Sequence, residues 1–240
     1  MLSKNEIKYI QSLCHKKQRQ QSGLFIVEGV KQMEELLLSD FTIKTVYATD
    51  DWEAKNIGNT HLVRVTVDEL KKISVLQTPN KVLALVEEPA SKKSTIPDNK
   101  WVLALDGIQD PGNMGTLIRI ADWFGIDTII ASPDSVDCFN PKVIQSTMGS
   151  FIRVRVCYGP LETVFAATQL PIYGALLNAP SVFEKTQYEK GILLIGNESK
   201  GINPALLHHI SNSISIPRIG KAESLNAAVA AGILLSQLVK

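Results

Sequence analysis

The sequence predicts an α/β protein made of two units, and three observations carry that prediction. Short apolar runs recur along the chain with helical stretches between them, and several of the later runs are too continuously apolar for a sheet with one wet face. One polar segment, EEPASKKSTIPDNK, interrupts the alternation; it holds two prolines, two serines and no apolar period, as an exposed linker would. The expected division is a first unit over 1–88, a linker over 89–100 and a second unit over 101–240.

In the first unit, LFIVEG from Leu24, KTVYAT from Lys44, LVRVTV from Leu62 and KVLALVEE from Lys81 read as strands, with VKQMEELLLS as a helix among them. In the second, WVLALD, TIIAS, RVRVCYG, IYGALL, GILLIG and SISIP read as parallel strands covered on both faces. The 240 residues, 45% hydrophobic, allow one large core or two modest ones. Twenty-five basic and 24 acidic side chains nearly cancel, so bulk charge does not announce a nucleic-acid partner. Cys14, Cys138 and Cys157 are too few and too irregularly spaced for a disulfide framework or a four-ligand metal site, and a reducing cytoplasm is the expected setting. The N-terminus has no apolar run after its lysines and no stretch reaches about eighteen apolar residues, so neither export nor a membrane span is expected.

Ligands of such sheets bind beyond the carboxyl ends of the strands. Three of those places are unusual: DGIQDPGNMGTLIR after the first strand of the second unit, GNESKG (196–201) after the fifth, and PRIGKAESLNAAVAAG (217–232) after the sixth. All three combine glycine with amide, hydroxyl or charged groups, which lets backbone approach a ligand closely, and one pocket built from three loops is the economical reading. Gly107 and Gly112 have the outer spacing of a phosphate-binding loop, but Asn113 and Met114 stand where that motif needs Lys and Ser or Thr. No two glycines of GIQDPGNMG are one residue apart, so the dinucleotide fingerprint is absent too, which disfavours a nucleotide-dependent oxidoreductase.

NMGTLIR with its preceding DPG, then IGNESKG, then IPRIGKAESLNAAVAAGI resemble, in order, the three motifs of the SpoU-type (TrmH-like) 2′-O-ribose RNA methyltransferases of the SPOUT, or α/β-knot, superfamily. GLFIVEGVKQMEELL (23–37) resembles the start of their small substrate-binding domain, similar in fold to ribosomal protein L30e, so the resemblance spans essentially the whole chain. It implies a C-terminal, mostly parallel domain tied in a deep trefoil knot, a smaller N-terminal L30e-like α/β domain, and a homodimer. It also implies S-adenosylmethionine held mainly by backbone groups around Gly196, Asn197, Gly201, Ile216 and Leu225. Position by position, Asn113 and Arg119 match the Asn and Arg of the first motif, Glu198 the acid of the second, and Ser224 and Asn226 the Ser and Asn of the third. The family's Arg is proposed as the base, yet a guanidinium, which gives up its proton only in strong alkali, better suits holding a phosphate and a developing alkoxide. The implied activity is 2′-O-methylation of RNA, with ribosomal RNA the expected substrate, and with a transfer-RNA 2′-O-methyltransferase or a non-catalytic RNA-binding member of the fold as the alternatives.

Singly, these residues have plainer readings. Asn113 could cap a helix starting near Met114, Ser224 could cap the last helix, Glu198 could be an exposed loop acid, and Arg119 on a helix would ordinarily be a solvated side chain or ion-pair member, although it interrupts the apolar run LIRIA and a core-facing Arg would need a reason. His208 and His209 are adjacent on an expected helix and should point apart, so no metal is expected. Lys4, Lys8, Lys16, Lys17 and Arg19 oppose only Glu6 within 1–22, and Lys16, Lys17 and Arg19 in KKQRQQSGLF are the expected RNA contacts. Arg153, Arg155, Arg218 and Lys221 would extend that surface if they face outward, and recognition of RNA shape and 2′-hydroxyls is expected over base stacking, since aromatics are only 6%.

Overall fold

The computed structural model describes residues 1–53, 57–90, 96 and 99–239; most of the expected linker, 91–95 and 97–98, lies outside the described residues. The elements in chain order are α1 (Lys4–Ser12), α2 (Lys16–Ser22), β1 (Leu24–Glu28), α3 (Val30–Leu36), β2 (Ile43–Ala48), β3 (His61–Arg64), α4 (Val67–Ile73) and β4 (Val82–Glu87). They continue with β5 (Val102–Leu105), α5 (Pro111–Trp123), β6 (Thr128–Ala131), α6 (Pro141–Thr147), β7 (Arg155–Tyr158) and α7 (Leu161–Ala166). The last are β8 (Ile172–Ala175), β9 (Ile192–Ile195), a 3-10 helix (Pro204–His209), β10 (Asn212–Ile214) and α8 (Ala227–Leu238). All ten expected strands are present.

Contacts divide the chain into Met1–Ala90 with Asp137–Ile152, and Ser91–Val136 with Arg153–Lys240. The placement of Asp137–Ile152 differs from the expected division because Phe139, Ile144 and Phe151 join an apolar cluster with Phe25, whose ring centroid lies 4.5 Å from that of Phe139. An aromatic cluster of this kind outweighs the sequence's local order.

The first unit's sheet runs β1-β4-β2-β3, with β1 and β2 antiparallel to β4 and β3 parallel to β2. Alternation along β1 and β4 divides the core. Phe25, Val27, Val82, Ala84 and Val86 meet α3 and α6 on one face, while Leu24, Ile26, Leu83 and Leu85 meet Ile10, Leu13, Leu70 and Ile73 on the other. The expected RNA contact Arg19 belongs to this interior. It is 1% exposed, its Nε donates to Asp137 Oδ2 at 3.0 Å, and its Nη1 donates to the carbonyls of Leu13 and Cys14 at 2.8 and 3.0 Å. Arg19 is therefore a structural ion pair rather than a surface cation, and Lys16 and Lys17 stay exposed.

The second unit's sheet runs β10-β8-β9-β5-β6-β7, and every pairing in it is parallel. Val102, Ala104, Ile130, Ile192 and Leu194 face Leu161 and Phe165 of α7 and Leu206 of the 3-10 helix. On the opposite face α5 packs on α8 and β6, and α8 packs on β9. From β5 the chain thus leaves toward one face, and from its neighbour β9 toward the other. That divergence opens a crevice at the carboxyl ends of these two strands, the place where open parallel sheets bind ligands.

Candidate functional site

The first helix after β5 begins earlier than expected. Asp110, not Asn113, caps α5: its Oδ1 accepts from Asn113 N at 2.8 Å, and Pro111 occupies the first turn where its missing N–H costs nothing. The Asn113 side chain is thereby released for another task. Its Nδ2 donates to Glu198 Oε1 at 2.8 Å, and its Oδ1 accepts from Asn226 Nδ2, also at 2.8 Å. One amide thus joins the loops after β5, β9 and β10.

Asn226, rather than Ser224, caps the last helix; its Oδ1 accepts from Ala228 N and Val229 N at 3.0 and 3.3 Å while its Nδ2 reaches Asn113. Both ends of this side chain are engaged, one setting where α8 starts and the other tethering that start to α5. Ser224 and Leu225 are exposed on the approach, and Ile216 is half-buried.

The loop after β9 is closed by its own backbone. Asn197 and Gly201 exchange N–H···O bonds of 2.9 Å in both directions, and Asn197 Oδ1 accepts from Ser199 N and Lys200 N at 2.9 and 3.0 Å. A Cβ on Gly196 would lie 2.3 Å from Gly201 C and 2.4 Å from Ile202 N, so only glycine permits the turn. Asn197 Nδ2 donates to Gly107 O at 2.6 Å, which spends the side chain on joining this loop to the β5 loop.

At the base of the crevice, Asp106 accepts from Asn203 N at 2.6 Å. Burial raises its pKa, the Asn203 bond opposes that, and the nearby Asp134 carboxylate raises it further. Gly107, at φ +70°, donates its N–H to Ser132 Oγ at 2.8 Å, and Ile108 donates to Ser135 Oγ at 3.2 Å. Sequence reasoning passed over these hydroxyls because ASPDS after β6 looks like any polar turn. It also passed over a fourth strand end, the segment 176–180 after β8. Ser215 Oγ donates to Ala179 O at 2.7 Å and Ser215 N to Pro180 O at 2.9 Å, so the chain leaving β10 is bound to the β8 loop. The Asn and Pro of LLNAP were the available signal.

Arg119 does not join these groups. It is exposed, and among the described residues it has no hydrogen-bond or ion-pair partner. Six residues past Asn113, it stands about 9 Å farther along α5 and about 120° around it. Arg119 is thus the solvated side chain of its plain reading and not a core-facing one: Leu117, Ile118 and Ala121 supply the buried face, and Thr116, Arg119 and Trp123 form an exposed stripe. Arg153, Arg155, Arg218 and Lys221 do face outward, with Arg153 Nη2 paired to Asp122 Oδ2 at 2.9 Å. The expectation that His208 and His209 point apart fails, because the tight 3-10 turn brings their ring centroids to 3.9 Å.

Polar loops gathered at the divergence of a wholly parallel sheet define an α/β protein that binds a small organic ligand at the strand ends. The chain belongs to the SpoU rRNA Methylase family, which matches residues 100–236, while an MRM3-like substrate binding domain matches 4–84. It is 33% identical to the 23S rRNA (guanosine(2553)-2'-O)-methyltransferase RlmP of Bacillus subtilis (strain 168), over 98% of this chain and 97% of that one. A putative RNA methyltransferase of the TrmH family from Porphyromonas gingivalis superposes with a TM-score of 0.87 at 34% identity, covering 99% of this chain and 98% of that one. The SpoU methyltransferase AviRb from Streptomyces viridochromogenes, solved with AdoMet, superposes with a TM-score of 0.86 at 25% identity, covering 99% and 97%.

Proposed function

We propose that the protein transfers a methyl group from S-adenosylmethionine to a ribose 2′-hydroxyl of ribosomal RNA. The observation that carries this reading is the hydrogen-bonded chain Glu198–Asn113–Asn226, which draws three distant segments into one site. The names of RlmP, a 23S rRNA 2′-O-methyltransferase, and of AviRb with bound AdoMet support the substrate and the cofactor.

The residues present fit that cofactor. The loop at Gly196 admits no side chain where it closes, and the Asn197 amide is spent on Gly107 O and on Ser199 N and Lys200 N, so the adenosine falls to the backbone groups of 196–201 and 216–225 that these bonds leave free. When bound, S-adenosylmethionine supplies an already activated methyl group, so the protein's chief task is to orient the hydroxyl, worth roughly 7–11 kcal/mol. Asn113 holds the Glu198 carboxylate in one orientation, and Asn226 holds Asn113. Arg119, with its planar fork of N–H donors, serves as the donor to an adjacent phosphate and to the developing alkoxide oxygen. Lys16 and Lys17 attract the RNA backbone. The segment from β10 to α8, bound first to the β8 loop and then to α5, is the stretch we assign to the expected trefoil knot.

The same reading includes a homodimer and a cytoplasmic setting. Trp123 is 85% and Val229 51% exposed on α5 and α8, which pack together, and a second copy would cover them. Arg119, on the Trp123 stripe, then stands at the subunit boundary. Trp123→Glu should convert the dimer to monomer in sedimentation; an unchanged mass would exclude this face.

The test of function is incubation with labelled S-adenosylmethionine and separate ribosomal and transfer RNA pools, followed by mapping of ribose positions newly resistant to alkaline cleavage. Label confined to transfer RNA would overturn the substrate, and cofactor binding without turnover would favour the non-catalytic alternative.

A further inference from the structure

We infer that the face formed by α7 and the 3-10 helix holds a divalent transition-metal site made by Glu162, His208 and His209. One carboxylate oxygen and one ring nitrogen from each histidine all lie within 4.8 Å of one another. The arrangement is built from the core outward. Leu161 and Phe165 of α7 bury against Leu206 of the 3-10 helix, which aligns Glu162 with the two histidines at the helix end. Phe165 meets the His209 ring edge to face, with centroids 6.0 Å apart.

A second observation points to a ligand. His209 Nε2 is buried and has no hydrogen-bond partner among the described residues, although a buried polar atom left alone is costly. A metal ion or a proton acceptor would satisfy a ring nitrogen in that condition. Two imidazoles and one carboxylate suit zinc, nickel or copper better than magnesium or calcium, and three protein ligands leave a fourth position for water. With metal–nitrogen bonds of about 2.0–2.1 Å, tetrahedral ligands stand about 3.4 Å apart, so the side chains need to close by up to about 1.4 Å.

The consequence lies in the segment the metal would hold. Asn203, which precedes the 3-10 helix, is bound through its N–H to Asp106 at the base of the crevice, and its side chain caps the helix through Ala205 N. A metal at His208 and His209 would anchor the other end to α7. The segment that begins directly after Gly201 would then be held at both ends, and metal binding would stabilise the fold beside the cofactor loop.

The experiment uses full-length protein stripped with chelator and dialysed, titrated with zinc by calorimetry at about pH 7.5, in a Cys14→Ser background that removes the exposed thiol. The expected result is one zinc per chain and a raised thermal midpoint. Glu162→Gln, His208→Asn and His209→Asn should each weaken binding about 10- to 100-fold, whereas His15→Gln and His61→Gln should leave it unchanged. Cobalt substitution in the wild-type chain gives an independent reading that needs no site variant: d–d bands without thiolate charge transfer are expected. Absence of saturable binding, binding indifferent to His208 and His209, or a thiolate band would each overturn the site.

Discussion

Arg19 separates a surface role from a structural one, because the two make opposite predictions for Arg19→Met. In the structure the guanidinium is 1% exposed and its partner Asp137 has a side chain 15% exposed, so solvent screening takes little from the pair. The substitution removes both N–H bonds to Asp137 Oδ2 and both bonds to the Leu13 and Cys14 carbonyls, leaving a carboxylate without its cation. Breaking a buried pair from one side costs about 3–5 kcal/mol, whereas replacing both partners by apolar groups is often neutral. Trp52, 4% exposed in the first unit, reports its unfolding in a Trp101→Phe, Trp123→Phe background. Urea unfolding should show the loss for Arg19→Met and recovery of most of it in Arg19→Met with Asp137→Leu. Burial, and next the Asp137 charge, raise the pKa of Glu88, and Arg19 opposes this. A raised carboxylate pKa means stability is lost as pH rises through the folded value, so the Arg19→Met deficit should grow on going upward from the ordinary glutamate range. An unchanged urea midpoint together with a tenfold loss of RNA affinity would refute the structural assignment.

Three further outcomes follow from the site. Arg119→Ala should leave stability within about 0.5 kcal/mol, since the side chain is exposed and has no partner among the described residues, yet lower turnover by about 100-fold or more if it meets the developing charge; full activity would remove the assignment. Gly196→Ala should cost about 1–3 kcal/mol and weaken S-adenosylmethionine binding, because its Cβ would meet backbone at 2.3 Å. Gly159→Ala, where nothing lies within 4 Å and which is outside the cofactor loops, is the matched control, and equal binding by the two variants would contradict the closed-loop geometry. Asp106 is held above the usual aspartate range chiefly by burial, so the wild type loses stability as pH rises through that folded value. The urea midpoint of Asp106→Asn relative to wild type should therefore improve between about pH 4 and about pH 7; the opposite trend would show that the Asn203 bond outweighs the burial.

Periodicity was enough to locate the strands, because a strand buried on both faces must be apolar at every position and the chain writes that locally, as in WVLALD and GILLIG. The site residues were legible as residue types after strands, but not as partners. Nothing local distinguishes Asn113 as a helix cap from Asn113 as a bridge; Asp110, three residues earlier, takes the capping position and so frees it. The same competition moved the last cap from Ser224 to Asn226. Arg19 and Asp137 are 118 residues apart, and the charge count of 1–22 carries no trace of their pairing. Sequence alone therefore determined the strands, the parallel sheet and the three motif loops, which depend on short-range pattern. Tertiary structure decided which cation is buried, which amide bridges and which turn brings His208 beside His209, because the free energy of a polar group depends on the partners and water around it, and these come from distant parts of the chain.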